Sequence, residues 1–282
     1  MCRGRTLHTM SHPPVVLVIA GSDSGGGAGI QADLKTVMAL GGHAATVITA
    51  VTAQNSLGVQ GVWPLAEDAV AAQFRSIIDD FTVGAVKIGM LGTAALVEQV
   101  RLLLAPIAEE IPVVLDPVCA SKHGDPLLQP EAVSALVRDI VPLATVVTPN
   151  IPEAALLLAA LGDEAALTAD DDGQRRAAAA LTAAGARWAL VKGGHRDDDV
   201  ARDVLSDGTN ATWLTHDRVD TVHTHGTGCT LASAIAAGLA GGMTVPVAVA
   251  QAKDYISGAV AHGYALGAGI GPVDHAWRWR NN

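Results

Sequence analysis

The stretch Val15-Val16-Leu17-Val18-Ile19-Ala20 runs straight into Gly21-Ser22-Asp23-Ser24-Gly25-Gly26-Gly27-Ala28-Gly29. A short apolar run, rich in β-branched residues and ending in a glycine loop, reads as a buried strand that stops at a tight turn. The helical pattern holding Ala32 and Leu34 follows, so the unit is strand, loop, helix. Met1 to Pro14 carries Arg3 and Arg5 without an acidic residue and superficially copies a signal peptide. The apolar run is at the short limit for that role, Pro13-Pro14 interrupts its entry, and a glycine loop stands where a cleavage site belongs. Residues 1–14 are expected to be a disordered extension, and residues 15–282 one domain.

The same unit recurs outward from this point. Ala45 to Val51, Ala85 to Ile88, Val113 to Asp116, Thr145 to Thr148 and Trp188 to Lys192 are short apolar runs, each followed by a loop and a helix-like segment. That rhythm predicts an α/β fold with a mainly parallel sheet covered by helices on both faces. Val200 to Leu205 and Thr212 to Leu214, bracketing Asp207-Gly208-Thr209-Asn210, predict an antiparallel hairpin at a sheet edge. Asp163 to Asp172 reads as a surface loop feeding a helix over Gln174 to Ala184, and two long helices, Leu231 to Ala240 and near Val245 to Gly263, close the chain.

Composition narrows the function. The 282 residues are 50% hydrophobic and 16% charged, with a formal net charge of -10, so nonspecific nucleic-acid binding is disfavoured and any phosphate must be met by locally placed donors. No apolar segment reaches the length of a membrane span. Cys2, Cys119 and Cys229 form no CxxC pair, which disfavours a disulfide framework or structural zinc and points to a reducing cytoplasm. No HExxH pattern occurs among the ten histidines, His195 and His225 included.

In an open parallel sheet ligands gather beyond the carboxyl ends of the strands. Those ends here carry Gly21 to Gly29, Gln54, Met90, Asp116-Pro117-Val118, Asn150 with Glu153, and Lys192-Gly193-Gly194. Thr224-His225-Gly226-Thr227-Gly228-Cys229-Thr230 adds two glycines and a thiol at the mouth of an apolar helix, a seat for an anion. The helix dipole biases Cys229 toward thiolate, so it could accept a proton from a substrate hydroxyl; a glycine-rich turn with a small buried cysteine is the plain alternative. Asp33 lies one turn into the first helix and is either a solvated acid or a ligand-facing one. Gln54 suits the edge of an amino-substituted heteroaromatic ring or the cap of a loop. Asp116 and Glu153 suit magnesium or structural hydrogen bonds, and Lys192 suits phosphates or a surface position. The glycine loop is neither a Walker-type nor a Rossmann loop. Gly267-Ala268-Gly269-Ile270-Gly271 is taken as a terminal loop.

The collinear motifs AGSDSGGGAGIQADLKT (20–36), VITAVTAQN (47–55), VKIGML (86–91), LDPV (115–118), GDPLL (124–128), TPNIPEA (148–154), VKGGH (191–195), THGTGCTLASAIAA (224–237) and GIGPV (269–273) resemble the hydroxymethylpyrimidine/phosphomethylpyrimidine kinase family of thiamine biosynthesis. The resemblance implies a ribokinase-like three-layer α/β/α sandwich with a mainly parallel central sheet and antiparallel edge strands. It implies transfer of the ATP γ-phosphoryl group to 4-amino-5-hydroxymethyl-2-methylpyrimidine and then to its monophosphate, with ATP and Mg2+ required, in a cytoplasmic homodimer. By the same resemblance Cys229 accepts or orients the hydroxyl proton and Gly226 and Gly228 form the anion hole. Asp33 and Gln54 read the aminopyrimidine with Ala28, Met90 and Val118; Asp116 and Glu153 handle magnesium; Lys192, Asn150 and Thr227 meet the nucleotide. Two departures lie near the rim: Cys119-Ala120-Ser121-Lys122-His123-Gly124 differs from the usual MVAKSG, and His223 replaces a common asparagine. A pyridoxine, pyridoxal or pyridoxamine kinase is the nearest rival, and a noncatalytic vitamin-binding protein the rival of another class. A thiol hydrolase is weaker, because no triad can be placed around Cys229.

Overall fold

A computed structural model describes residues 12–120, 127–163, 165, 167–194 and 200–280. Most of the expected amino-terminal extension, the GDPLL motif up to residue 126, and His195 lie outside the described residues. In chain order the main elements are β1 (Val15–Asp23), α1 (Gly29–Ala39), β2 (His43–Asn55), β3 (Gly58–Pro64), α2 (Glu67–Ile78), β4 (Val83–Ile88), α3 (Ala94–Leu104), β5 (Val113–Leu115) and α4 (Pro130–Asp139). They continue with β6 (Val146–Val147), α5 (Ile151–Ala160), α6 (Asp171–Ala183), β7 (Trp188–Val191), β8 (Val200–Ser206), β9 (Ala211–Asp217), α7 (Thr227–Ala240) and α8 (Val245–Ala261).

The strands form one nine-stranded sheet in the order β3-β2-β1-β4-β5-β6-β7-β8-β9. Pairing is parallel from β2 to β7 and antiparallel at β3, β8 and β9. Side chains alternate across the sheet, and β1 shows what each face buries. Val15, Leu17 and Ile19 pack into the core beneath α2 to α6, while Val16, Val18 and Ala20 pack beneath α1, α7 and α8. Two apolar cores around one sheet make the three-layer α/β/α arrangement of the ribokinase-like fold.

Three departures from the expected elements matter. β1 does not end at Ala20: after a bulge between Ala20 and Ser22 the strand resumes, Ser22 facing Val51 and Asp23 facing Thr52 of β2. That extension carries Asp23 to the rim instead of leaving it in a loop. β3 is an additional antiparallel edge strand that sequence reading passed over, because Gly58 and Gly61 interrupt its β-forming residues. The loop Gly267 to Gly271 is packed, not loose: the Gly271 carbonyl accepts the His225 amide at 3.1 Å, and Ile270 donates to the Ser56 carbonyl at 2.9 Å.

Strand order reverses at β1, since the chain goes first to β2 on one side and later to β4 on the other. The crevice beyond the carboxyl end of β1 is therefore the natural ligand site of this topology. Among the described residues no helix is long and apolar enough to cross a membrane. Because Leu17 sits at 0% exposure in the central strand, Leu17→Ala is expected to remove about 2–5 kcal/mol of folding stability, measured by denaturant titration at unchanged m-value.

Candidate active site

Asp23 organises the crevice. Its Oδ1 accepts the Gly25 amide at 2.8 Å, and its Oδ2 accepts the amides of Gly27 at 3.0 Å and Ala28 at 2.8 Å. His225 Nε2 donates to the same Oδ2 at 2.9 Å, tying the first glycine loop to the segment before α7. Burial alone would raise the Asp23 pKa, but the His225 hydrogen bond and the loop amides outweigh it and hold the carboxyl below its ordinary value.

The two loops then meet with no room for side chains. Gly226, the residue that starts α7, has φ +83°, and a Cβ there would lie 1.8 Å from the Gly27 carbonyl oxygen. Glycine is required here both for the left-handed backbone and for the contact. No side chain caps α7, which leaves the first-turn amides of Gly228 and Cys229 available to an anion.

A cavity of about 410 Å3 opens in front of this helix start. Gly226, Thr227, Gly228 and Cys229 form part of its wall, as do Ala28, Gln54, Met90 and Val118. Asp116, Asn150, Glu153 and Lys192 line the same space. Lys192 Nζ is 3.1 Å from Asp116 Oδ1 and 3.8 Å from Glu153 Oε2, so one ammonium joins two carboxylates from different loops. Glu153 is held in place by a capping box at the start of α5: it accepts the Asn150 amide at 2.8 Å, and Asn150 Oδ1 accepts the Glu153 amide at 2.8 Å. Burial pushes the Glu153 carboxyl up to about 7 despite the pull of Lys192. A Cβ on Gly228 would come within 3.4 Å of both Asp116 Oδ2 and Lys192 Nζ, so the glycine lets this cluster approach the helix mouth.

Asp33 is placed differently from the sequence expectation. It has no exposed surface and does not line the cavity; its Oδ2 accepts Lys87 Nζ at 2.9 Å and its Oδ1 accepts Ser233 Oγ at 2.6 Å. Both the solvated reading and direct contact with a ring in the cavity are thereby set aside for this conformation. Burial raises the Asp33 pKa, although Lys87 and Ser233 oppose it. Burial also works against the Lys87 charge, yet Asp33 and its neighbours prevail and raise the Lys87 pKa. We take the pair as ionic, because a 2.9 Å lysine contact and a serine donor satisfy both oxygens of an ionised carboxylate.

Cys229 also corrects an expectation. The helix start and the Lys87 charge favour its thiolate, and its sulfur takes a hydrogen bond from the Gly29 amide. Burial is the larger effect and pushes the thiol up to about 12, so on its own it retains its proton at neutral pH.

Several residues at the cavity escaped sequence reasoning. Lys87 had a signal: a lysine inside the apolar run Ala85 to Ile88 must find a buried anion. Asp23 had a weaker one, since aspartate before small residues often caps a turn. Asp203 and Lys253, 2.5 Å apart and also lining the cavity, had none that local sequence could reveal. Asp203 Oδ1 accepts the Gly193 amide at 2.9 Å and so fixes the turn after Lys192.

Comparison with known proteins agrees with this geometry. The family model described as phosphomethylpyrimidine kinase matches residues 23–274. A hydroxymethylpyrimidine/phosphomethylpyrimidine kinase of Streptomyces coelicolor is 57% identical over 265 residues, covering 94% of this chain and 95% of that protein. Staphylococcus aureus pyridoxal kinase, solved with AMP-PCP and pyridoxal, superposes with TM-score 0.85 at 32% identity, covering 96% of each chain. Phosphomethylpyrimidine kinase from Clostridium difficile 630 superposes with TM-score 0.74 at 38% identity, covering 86% of this chain and 97% of that one. With the family pattern spanning the sheet from Asp23 to Asp274 and enclosing both glycine loops, the chain belongs to the phosphomethylpyrimidine kinase family.

Proposed function

We propose that this chain transfers the γ-phosphoryl group of ATP to the hydroxymethyl oxygen of 4-amino-5-hydroxymethyl-2-methylpyrimidine, and then a second phosphoryl group to that monophosphate, as a step of thiamine biosynthesis. The observation that carries the reading is the meeting of the uncapped α7 start, the Cys229 thiol and the Lys192 cluster on one cavity that also holds Gln54. Phosphoryl transfer needs alignment and neutralisation of oxygen charge more than it needs a strong base.

In this reading Gln54 pairs with the amino group and ring nitrogen of the pyrimidine, while Met90 and Val118 pack on the ring and exclude water. Asp33 acts from beneath the site by holding Lys87 rather than by touching substrate. The amides at the α7 start hold the transferring phosphoryl oxygens as their charge rises. Lys192, with Asn150 and Thr227 beside it, meets the nucleotide phosphates. The Cys229 sulfur orients the alcohol and, after giving up its own proton to water, takes the alcohol proton as the oxygen–phosphorus bond forms and ADP leaves with the electron pair of the broken bond.

Asp116 and Glu153 suit magnesium: both oxygens converge on the single point that Lys192 Nζ touches, and hard carboxylates are the donors this cation prefers. Bound there, magnesium would neutralise phosphate charge. The reaction is assigned to the cytoplasm and the active form to a homodimer. Exposed Val51 and Trp63, paired across β2 and β3, offer an apolar surface for the second copy.

Pyridoxal phosphorylation is the second reading, favoured by the close superposition on the pyridoxal-bound kinase. A coupled assay with ATP and magnesium separates the two: rapid turnover of the pyrimidine and of its monophosphate is expected, and rapid turnover of pyridoxal alone would reverse the assignment. Cys229→Ala is expected to lower kcat by about 10²- to 10⁴-fold with little change in KM for the pyrimidine. Gln54→Ala should instead raise that KM by about tenfold, the loss of one hydrogen-bonding side chain from the ring's edge. Below pH 7 the raised pKa leaves Glu153 protonated, and a cation must displace that proton. The magnesium concentration needed for half-maximal rate should therefore be about tenfold higher at pH 6 than at pH 8, and Glu153→Gln should flatten this dependence.

A further inference from the structure

Lys87 of β4 and Asp33 of α1 form an ion pair between strand and helix, with both side chains at 0% exposure. Such pairs are seldom better for stability than apolar packing of the same volume, so the charges call for another reason. Their position supplies one. Ser233, which donates to Asp33, is one helical turn beyond Cys229 on α7, so the pair lies against the face of the helix that carries the thiol. Lys87 forms part of the cavity wall together with Cys229, and Gly89 leaves room for it, since a Cβ there would be 3.0 Å from Lys87 Nζ.

We infer that Lys87, held in place by Asp33 and Ser233, is a positioning residue whose buried ammonium supplies the charge against which Cys229 becomes a thiolate. This rests on the reading of Cys229 as the group that takes the substrate's proton. The sulfur releases its own proton to water, then receives the alcohol proton as the phosphoryl group is transferred, so the thiol is restored after each turnover. Four charged groups act on the sulfur: Lys87 from β4, Asp33 from α1, Asp116 after β5 and Lys192 after β7. Lys192 is already engaged by Asp116 and Glu153, while Asp33 and Asp116 oppose ionisation. Lys87 is itself paired with Asp33, but its pull on the sulfur is the larger of the two, and the Gly29 amide adds to it.

The test is the rate of iodoacetamide alkylation of Cys229 in the full-length protein between pH 7 and 10, read on the Cys229 peptide by mass spectrometry so that Cys119 does not contribute. Lys87→Met should slow alkylation at a given pH by about tenfold, and Asp33→Asn should speed it several-fold, because the two charges act on the sulfur in opposite senses. Loosened packing would instead expose the thiol and speed both variants. The double variant removes both charges together, which a buried pair tolerates better than the loss of one partner, and should stay slower than the parent protein. Its kcat profile should also move to higher pH, and Lys87→Arg should restore both readouts toward the parent. Alkylation of the Lys87→Met protein, or of the double variant where the single does not fold, at the parent rate or faster overturns the inference. Because alkylation is read without substrate, slowed alkylation in a protein that phosphorylates nothing would instead refute the catalytic reading of Cys229.

Discussion

The carboxylate of Asp23 joins two segments that lie 202 residues apart, through a 2.9 Å hydrogen bond from His225. It also gathers three loop amides, and the rest of the site follows from that gathering. With the first loop pulled onto β1, the Gly27 carbonyl comes to rest where any side chain at residue 226 would stand. The start of α7 and the start of α1 are then forced to face one space, and Cys229 is the side chain between them. A β1 that ended at Ala20 would carry no such clamp; the bulge that lets the strand resume through Ser22 and Asp23 is what brings the carboxylate to the rim.

An acidic protein that handles phosphate must confine its positive charge. Here the lysines at the cavity are each matched to carboxylates: Lys192 to Asp116 and Glu153, Lys87 to Asp33, and Lys253 to Asp203. The pairing favours the charged forms of Lys87 and Lys192 despite burial and holds all three lysines at defined points without a basic surface patch. Desolvation makes the same site responsive to pH, since it raises both the Glu153 carboxyl and the Cys229 thiol. A cation at the first and a neighbouring ammonium at the second are the natural counterweights.

The alternation of apolar runs and helix-like segments made the parallel sheet legible, and the Asp207-Gly208-Thr209-Asn210 turn made the β8–β9 hairpin legible, because both signals are local. β3 was not, since two glycines break its pattern. The glycine and thiol motif at α7 marked the site, and the strand-end rule located Gln54, Asp116, Glu153 and Lys192 around it. Asp33 was misjudged for a physical reason: its partners Lys87 and Ser233 are 54 and 200 residues away, so nothing nearby in the chain tells a buried ion pair from a solvated acid. Cys229 shows the complementary error. A helix start can be read from neighbouring residues, but desolvation depends on the whole fold and here outweighs the pull of Lys87 and of the Gly29 amide.

The central claim is geometric: the alcohol to be phosphorylated lies between the Cys229 sulfur and a phosphoryl group seated on the α7 amides. A crystal structure with the hydroxymethylpyrimidine and a nonhydrolysable ATP analogue tests it most directly. The account predicts the hydroxymethyl oxygen within about 3.5 Å of the sulfur and in line with the terminal phosphorus, whose oxygens meet the amides of Gly228 and Cys229. A pyrimidine bound with its alcohol turned away from Cys229, or a terminal phosphate held outside the helix mouth, would contradict it.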